Sequence, residues 1–139
     1  MSAGNETQAD LAQFRERVEA EPISSFLNMK LVELTSGHAK VSMKLRTEYL
    51  TFNQFVFGGI VMAVADQAFA CATNSMGRAS IASQFNIHFI AGASPEDELT
   101  AECRVLRKGR RVDVSEITVS NQEGKLIARA TGTAIPMSQ

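Results

Sequence analysis

At 139 residues the chain has the length of a single domain, long enough to bury a real core. Hydrophobic residues make up 45% and charged residues 21%, as in ordinary soluble globular proteins, and a formal charge of -1 gives no electrostatic reason to expect a nucleic-acid partner. Met1 to Asp10 is polar and does not read as a secretory leader, and no apolar run reaches the ~20 residues of a membrane-crossing helix, so no membrane partner and a cytoplasmic location are expected.

In chain order, Thr7 to Val18 opens like a capping box and sets Leu11, Phe14 and Val18 on one face, which predicts a short amphipathic helix closed by Pro22. This lead-in, 1–24, is assigned to the same domain as the body, 25–139. Met29 to Leu34 reads as a strand and Thr35-Ser36-Gly37-His38 as a turn. From Ala39 to Arg46 apolar and polar residues alternate, the pattern of a strand with one wet face. Asn53 to Gly59 reads as a loop leading into an apolar helix that stops at Met76-Gly77.

The remainder is strand. Ser80 to Ile90 sets Ile81, Ser83, Phe85, Ile87 and Phe89 on one face and Ala82, Gln84, Asn86 and His88 on the other. Glu98 to Leu106 and Val112 to Ser120 flank a hairpin tip at Lys108-Gly109-Arg110, and a turn at Asn121 to Gly124 precedes the last strand, Lys125 to Ile135. This order predicts an α+β fold in which one antiparallel sheet packs against one apolar helix. Cys71 and Cys103 read as buried free thiols. His38 and His88 have no second ligand at metal-binding spacing, so no metal is expected.

One residue conflicts with its surroundings. Asp66 is the only charged residue between Tyr49 and Gly77, inside a helix apolar on nearly every side and therefore expected to be buried. Its neighbours three and four positions away, Met62, Ala63, Phe69 and Ala70, include no cation. A buried carboxylate without a partner is costly, and such acids are enriched at functional sites. The competing reading is a structural carboxylate bonded to backbone or to a partner subunit.

Phe57-Gly58-Gly59, Ala65-Asp66, Ala68-Phe69-Ala70 and Asn74-Ser75 follow one another, with Arg107-Lys108-Gly109-Arg110-Arg111 and Asn121 to Ala128 downstream. Together they resemble the hotdog-fold acyl-CoA thioesterases of the phenylacetate-degradation (PaaI-like) branch, over roughly Met29 to Ile135. The resemblance implies an antiparallel β-sheet wrapped around a long central helix, and a dimer, often doubled to a tetramer, with the site shared between subunits. It implies no cofactor, coenzyme A being part of the substrate.

By the same resemblance, the Gly58 backbone N–H is the oxyanion donor, Asp66 the general base or nucleophile, and Thr51 stands where the family keeps an amide. Phe57 stands where the family keeps histidine. Asn53, Phe57, Gly59, Ser83, Gln84, Arg107, Lys108 and Arg110 form the implied substrate-binding set. The basic residues among them fit either coenzyme A phosphates or a solvated hairpin guarding a sheet edge. The expected function is hydrolysis of aryl- or fatty-acyl-CoA. The alternative is a non-catalytic acyl-CoA sensor, motivated by Phe57 and Thr51.

Overall fold

The alternating and apolar stretches resolve into ten elements in the computed structural model, which describes residues 8–137. They are α1 (Gln8–Ala20), α2 (Pro22–Phe26), β1 (Met29–Thr35), β2 (His38–Lys44), a 3-10 turn (Thr47–Tyr49), α3 (Gly58–Thr73), β3 (Ser80–Phe89), β4 (Glu98–Lys108), β5 (Asp113–Ser120) and β6 (Leu126–Pro136). The capping box expected at Thr7 lies outside the described residues. The six strands form one antiparallel sheet in the order β1-β2-β4-β5-β6-β3. Every strand comes against α3, so the sheet wraps the central helix. Among the described residues no helix is long and apolar enough to cross a membrane.

Strand patterning explains this packing. Along β5 buried and half-buried residues alternate without a break, and β2 does the same until its last residue. Those inward residues meet Val61, Val64, Ala65, Ala68, Phe69, Cys71 and Ala72 of α3, all buried. Fully burying a side chain of the size of Val or Phe contributes about 1.5–3 kcal/mol, so this contact dominates the fold.

The tightest point of the contact is Phe69. Its ring is buried, sits 5.7 Å from the Phe85 ring, and lies over Gly132 of β6. A Cβ at Gly132 would stand 2.7 Å from the Phe69 ring, so only glycine leaves room for it.

Four expectations change. Pro22 ends α1 but also opens α2, as proline does at a first helical position. β2 stops at Lys44, because Leu45 N–H turns to the Asp97 carbonyl at 3.0 Å. Lys108 is the last residue of β4, and the tip falls at 109–112, where a Cβ on Gly109 would meet the Val112 carbonyl oxygen at 2.2 Å. The faces of β3 also differ. A bulge at Ser83 pairs Ile81 with Ile135 and Ala82 with Ala134, while Gln84 faces Thr133. The extra residue reverses the alternation, so Ile81 joins the outer face and Ala82 the inner one.

α1 and α2 lie on β1. Val18 is buried, Phe14 is packed beside it, and Arg15 Nη1 donates to the Leu31 carbonyl at 2.6 Å. At the far end of α3, Asp113 is fully buried and accepts from Arg78 Nη2 at 2.6 Å and from Gly109 N–H at 3.1 Å. Arg78 also donates to the Gly109 carbonyl at 2.6 Å, tying the β4–β5 tip to the segment after α3.

Two stability outcomes follow from these contacts. Gly132→Ala forces the Phe69 ring aside and should cost about 1–3 kcal/mol in denaturant unfolding. Asp113→Ala strands the Arg78 charge and should cost about 3–5 kcal/mol. A wild-type melting temperature in either variant would show that the contact is slack.

Candidate active site

The loop before α3 is built from short-range bonds. Leu50 and Val56 bridge, Thr51 N–H donates to the Phe55 carbonyl at 2.7 Å, and Gln54 N–H donates to the Thr51 carbonyl at 2.9 Å. Gln54 takes a positive φ of 66°, and Asn53 is exposed at the tip beside it. Thr51 Oγ1 accepts from Asn53 N–H at 3.2 Å and Phe55 N–H at 3.4 Å, so this hydroxyl organises the loop.

Phe57 N–H then donates to the carbonyl of buried Tyr49 at 2.9 Å, which fixes the start of α3. Phe57 is the N-cap residue and supplies no side-chain cap. Gly58 and Gly59 therefore present first-turn N–H groups at the positive end of the helix dipole, with no partner among the described residues. Exposed aromatic rings lie against both glycines. A Cβ on Gly59 would stand 2.5 Å from the Phe57 ring, and one on Gly58 would stand 3.3 Å from the Phe89 ring.

Gly58 also belongs to the wall of a cleft of about 380 Å³, shared with Phe55, Val56, Val61, Phe89, Ile90 and Ile127. The rest of that wall is alanine and glycine.

Asp66 corrects the expectation of a helix buried all round. Met62, Asp66 and Ala70 are exposed along one stripe of α3, flanked by half-buried Ala63 and Gln67. Asp66 has no hydrogen bond or ion pair among the described residues, and its carboxyl is raised above the usual carboxylate range by desolvation alone. It is open to solvent in a single chain, yet enough protein surrounds the carboxyl to disfavour its charge. Eight residues separate it from Gly58, a rise of about 12 Å along the helix.

Gln67, its neighbour, donates from Nε2 to Glu21 Oε1 and to Ser24 Oγ at 3.4 Å, holding α3 to the α1–α2 joint. The Cys71 thiol is buried and pushed up to about 12, which keeps it protonated and unsuited to act as a nucleophile. Cys103 is buried and raised to about 12 as well.

The structure gathers Thr51, Asn53, Phe57, Gly58 and Gly59 at one end of α3 and leaves the other expected residues elsewhere. Ser83 occupies the bulge of edge strand β3, its Oγ donating to the Thr133 carbonyl at 3.2 Å. Gln84 lies on the outer face of the sheet, accepting from Thr133 Oγ1 at 3.5 Å. Arg107, Lys108 and Arg110 sit beyond the other end of the helix, where Lys108 Nζ donates to the Met76 carbonyl at 3.2 Å. The 16 residues of α3, about 24 Å, separate that end from Gly58. Phe89 and Ile90 were missed as site residues, because only the turn of β3 back toward α3 brings them to Gly58.

Comparison with known proteins agrees with this fold. The sequence model of the Thioesterase superfamily matches residues 53–128. The acyl-coenzyme A thioesterase PaaI of Escherichia coli is 32% identical over 114 residues, covering 82% of this chain and 81% of that protein. The solved structure of E. coli PaaI, from the phenylacetic acid degradation operon, superimposes with a TM-score of 0.88 at 28% identity, over 95% of this chain and 97% of that one. The structure of smu.793 from Streptococcus mutans, bound to acetyl CoA, gives a TM-score of 0.78 at 26% identity, over 82% of this chain and 92% of that one. With its helix-in-sheet architecture and these relatives, the chain belongs to the thioesterase superfamily, as a thioester hydrolase of the hotdog-fold, PaaI-like acyl-CoA thioesterase family.

Proposed function

We propose that the protein hydrolyses acyl-CoA thioesters to the free acid and coenzyme A, using the Gly58 N–H of one subunit and Asp66 of another. The observation that carries this reading is the unpaired Gly58 N–H at the mouth of an apolar cleft, with an unpartnered carboxyl on the same helix. The N–H polarises the thioester oxygen and holds the oxyanion as it forms. Asp66 takes a proton from water, the water oxygen bonds to the carbonyl carbon, and the C–S bond breaks. The sulfur leaves as thiolate and receives the proton.

Two subunits are needed because of distance. Oxyanion contact, attack distance and base-to-water contact are each about 3 Å and bent relative to one another, so they do not bridge the ~12 Å between Gly58 and Asp66 of one helix. Placing α3 of a second copy antiparallel beside the first brings each Gly58 to the other's Asp66. The exposed stripe of Met62, Asp66 and Ala70 and the open edge of β3 both suit such self-association, into a dimer or a doubled dimer.

In that arrangement Arg107, Lys108 and Arg110 lie about 15 Å beyond Asp66 on the side of the partner's Gly58, a reach that suits coenzyme A phosphates. Thr51 keeps its own hydroxyl proton to offer a water, since its bonds in the loop use only the oxygen. Phe57 removes the histidine position, but a thiolate with an ordinary pKa of about 8.5 leaves without an acid to protonate it first. The cytoplasmic location expected from the sequence goes with this reading.

Free-thiol release from a panel of acyl-CoA esters tests the proposal. Asp66→Asn should lower kcat about 10²–10⁴-fold. Equal turnover by the variant would remove Asp66 from the mechanism, and thermal stabilisation by an acyl-CoA without thiol release would mark a sensor instead.

The raised Asp66 pKa has two signed consequences. Catalysis by the ionised base should fall as pH drops, with a midpoint above the ~3.9 of an ordinary aspartate. Stability should run the other way: the folded form holds its proton more tightly, so stability is full below the unfolded pKa and is lost as pH rises through the folded one. Asp66→Asn should therefore melt no lower than wild type at neutral pH. A clear drop in its melting temperature would show that the carboxylate is structural.

A further inference from the structure

Given the hydrolase reading, on which this inference rests, we propose that Arg78 and Asp113 are positioning residues for substrate binding. Their buried ion pair sets the β4–β5 tip, so that Arg107, Arg110 and Arg111 present one cluster of charge to the phosphates of coenzyme A. Asp113 is the first residue of β5 and is fully buried, with Arg78 Nη2 at 2.6 Å. The same pair grips both sides of Gly109. Asp113 Oδ1 accepts from the Gly109 N–H at 3.1 Å, and Arg78 Nη2 donates to the Gly109 carbonyl at 2.6 Å. All of these contacts lie within one chain, so the clamp is complete without a second subunit.

Packing alone does not call for this arrangement. A buried ion pair costs the hydration of both charges, and apolar side chains of similar volume often hold a fold as firmly. What the pair supplies is direction, because charge-assisted bonds fix both amide groups of one residue in the tip. The turn around that residue leaves little room, with the Val112 carbonyl oxygen 2.2 Å from where a Gly109 Cβ would stand. Ser80 Oγ donates to Asp113 Oδ2 at 3.5 Å and Lys108 Nζ to the Met76 carbonyl at 3.2 Å, which ties the tip further to the residues that follow α3.

The basic side chains divide accordingly. Lys108 commits its ammonium to the Met76 carbonyl. Arg107, Arg110 and Arg111 are exposed, make no side-chain hydrogen bond or ion pair among the described residues, and line one cleft of about 300 Å³ with Gly109 and Val112. Like charges on a short turn repel one another, and a loose tip would let them spread. Held at Gly109, they stay around one space, where guanidinium groups match phosphate oxygens through paired N–H donors. Arg111, outside the set that the resemblance implies, thereby joins the cluster.

The test compares two thioesters of the acid best turned over in the acyl-CoA panel, on the intact protein: the CoA ester, and the N-acetylcysteamine ester, which carries no phosphate. Arg78→Gln with Asp113→Asn removes both charges together, so neither is stranded. This double variant should raise KM for the CoA ester about threefold to tenfold with kcat unchanged, and leave kcat/KM for the short ester at the wild-type value. Arg110→Gln should raise KM for the CoA ester by a similar factor. Added to the double variant it should do less than the product of the two, since a displaced tip has already lost that contact. A folded double variant with wild-type KM, equal losses on both esters, or effects that simply multiply would each overturn this inference while leaving the hydrolase reading intact. If the double variant does not fold, Arg78→Lys keeps a charge opposite Asp113, gives up the planar fork, and should show the same split, a wild-type KM there being equally fatal. Absence of thiol release from every CoA ester would overturn the hydrolase reading, and this one with it.

Discussion

The seating of Phe69 on Gly132 sets the rotation of α3, and the site depends on that rotation. Phe69 lies at one margin of the buried face of the helix, and the stripe holding Asp66 begins just beyond it. Were the helix to turn about its axis, either the ring would leave its seat or the carboxyl would be driven into the sheet. Both are unfavourable, the first through lost packing and the second through lost hydration. The fold thus holds an acid at the boundary between core and solvent.

α3 also separates the chemistry along its length. Its first turn supplies free N–H groups because Phe57 does not cap it, its middle carries Asp66, and its far end adjoins the basic β4–β5 tip. Gly58 and Asp66, two turns apart on one rod, do not reach the same small group. Under the proposed mechanism each chain therefore carries two half-sites rather than one whole site, and an antiparallel neighbour would supply the missing half of each. In a single chain β3 stands as an edge strand and the stripe of Met62, Asp66 and Ala70 is exposed.

Some of the site was readable in residue order. Asp66 is conspicuous because charge is absent around it, and Gly58-Gly59 because a helix start with two glycines needs a close approach. The aromatic rings that lie against those glycines were not readable. Phe57 and Phe89 reach them from different elements, and Phe89 looked like an ordinary inward residue of β3. Arg78 with Asp113 was equally silent, since 35 residues separate two charges that fold into one buried pair.

Residue order alone made legible the succession of the two longer helices and the six strands, the helix-and-sheet class and the position of the lone acid. These rest on local periodicity and on nearest-neighbour chemistry, which a linear chain carries without reference to its folding. Tertiary structure decided what surrounds that acid. It showed that α3 keeps an open stripe, that a bulge at Ser83 turns Ile81 outward and Ala82 inward, and that the basic tip stands a helix length from Gly58. Each of these comes from contacts between distant segments, where one extra residue or one ring over a glycine changes which way a side chain faces.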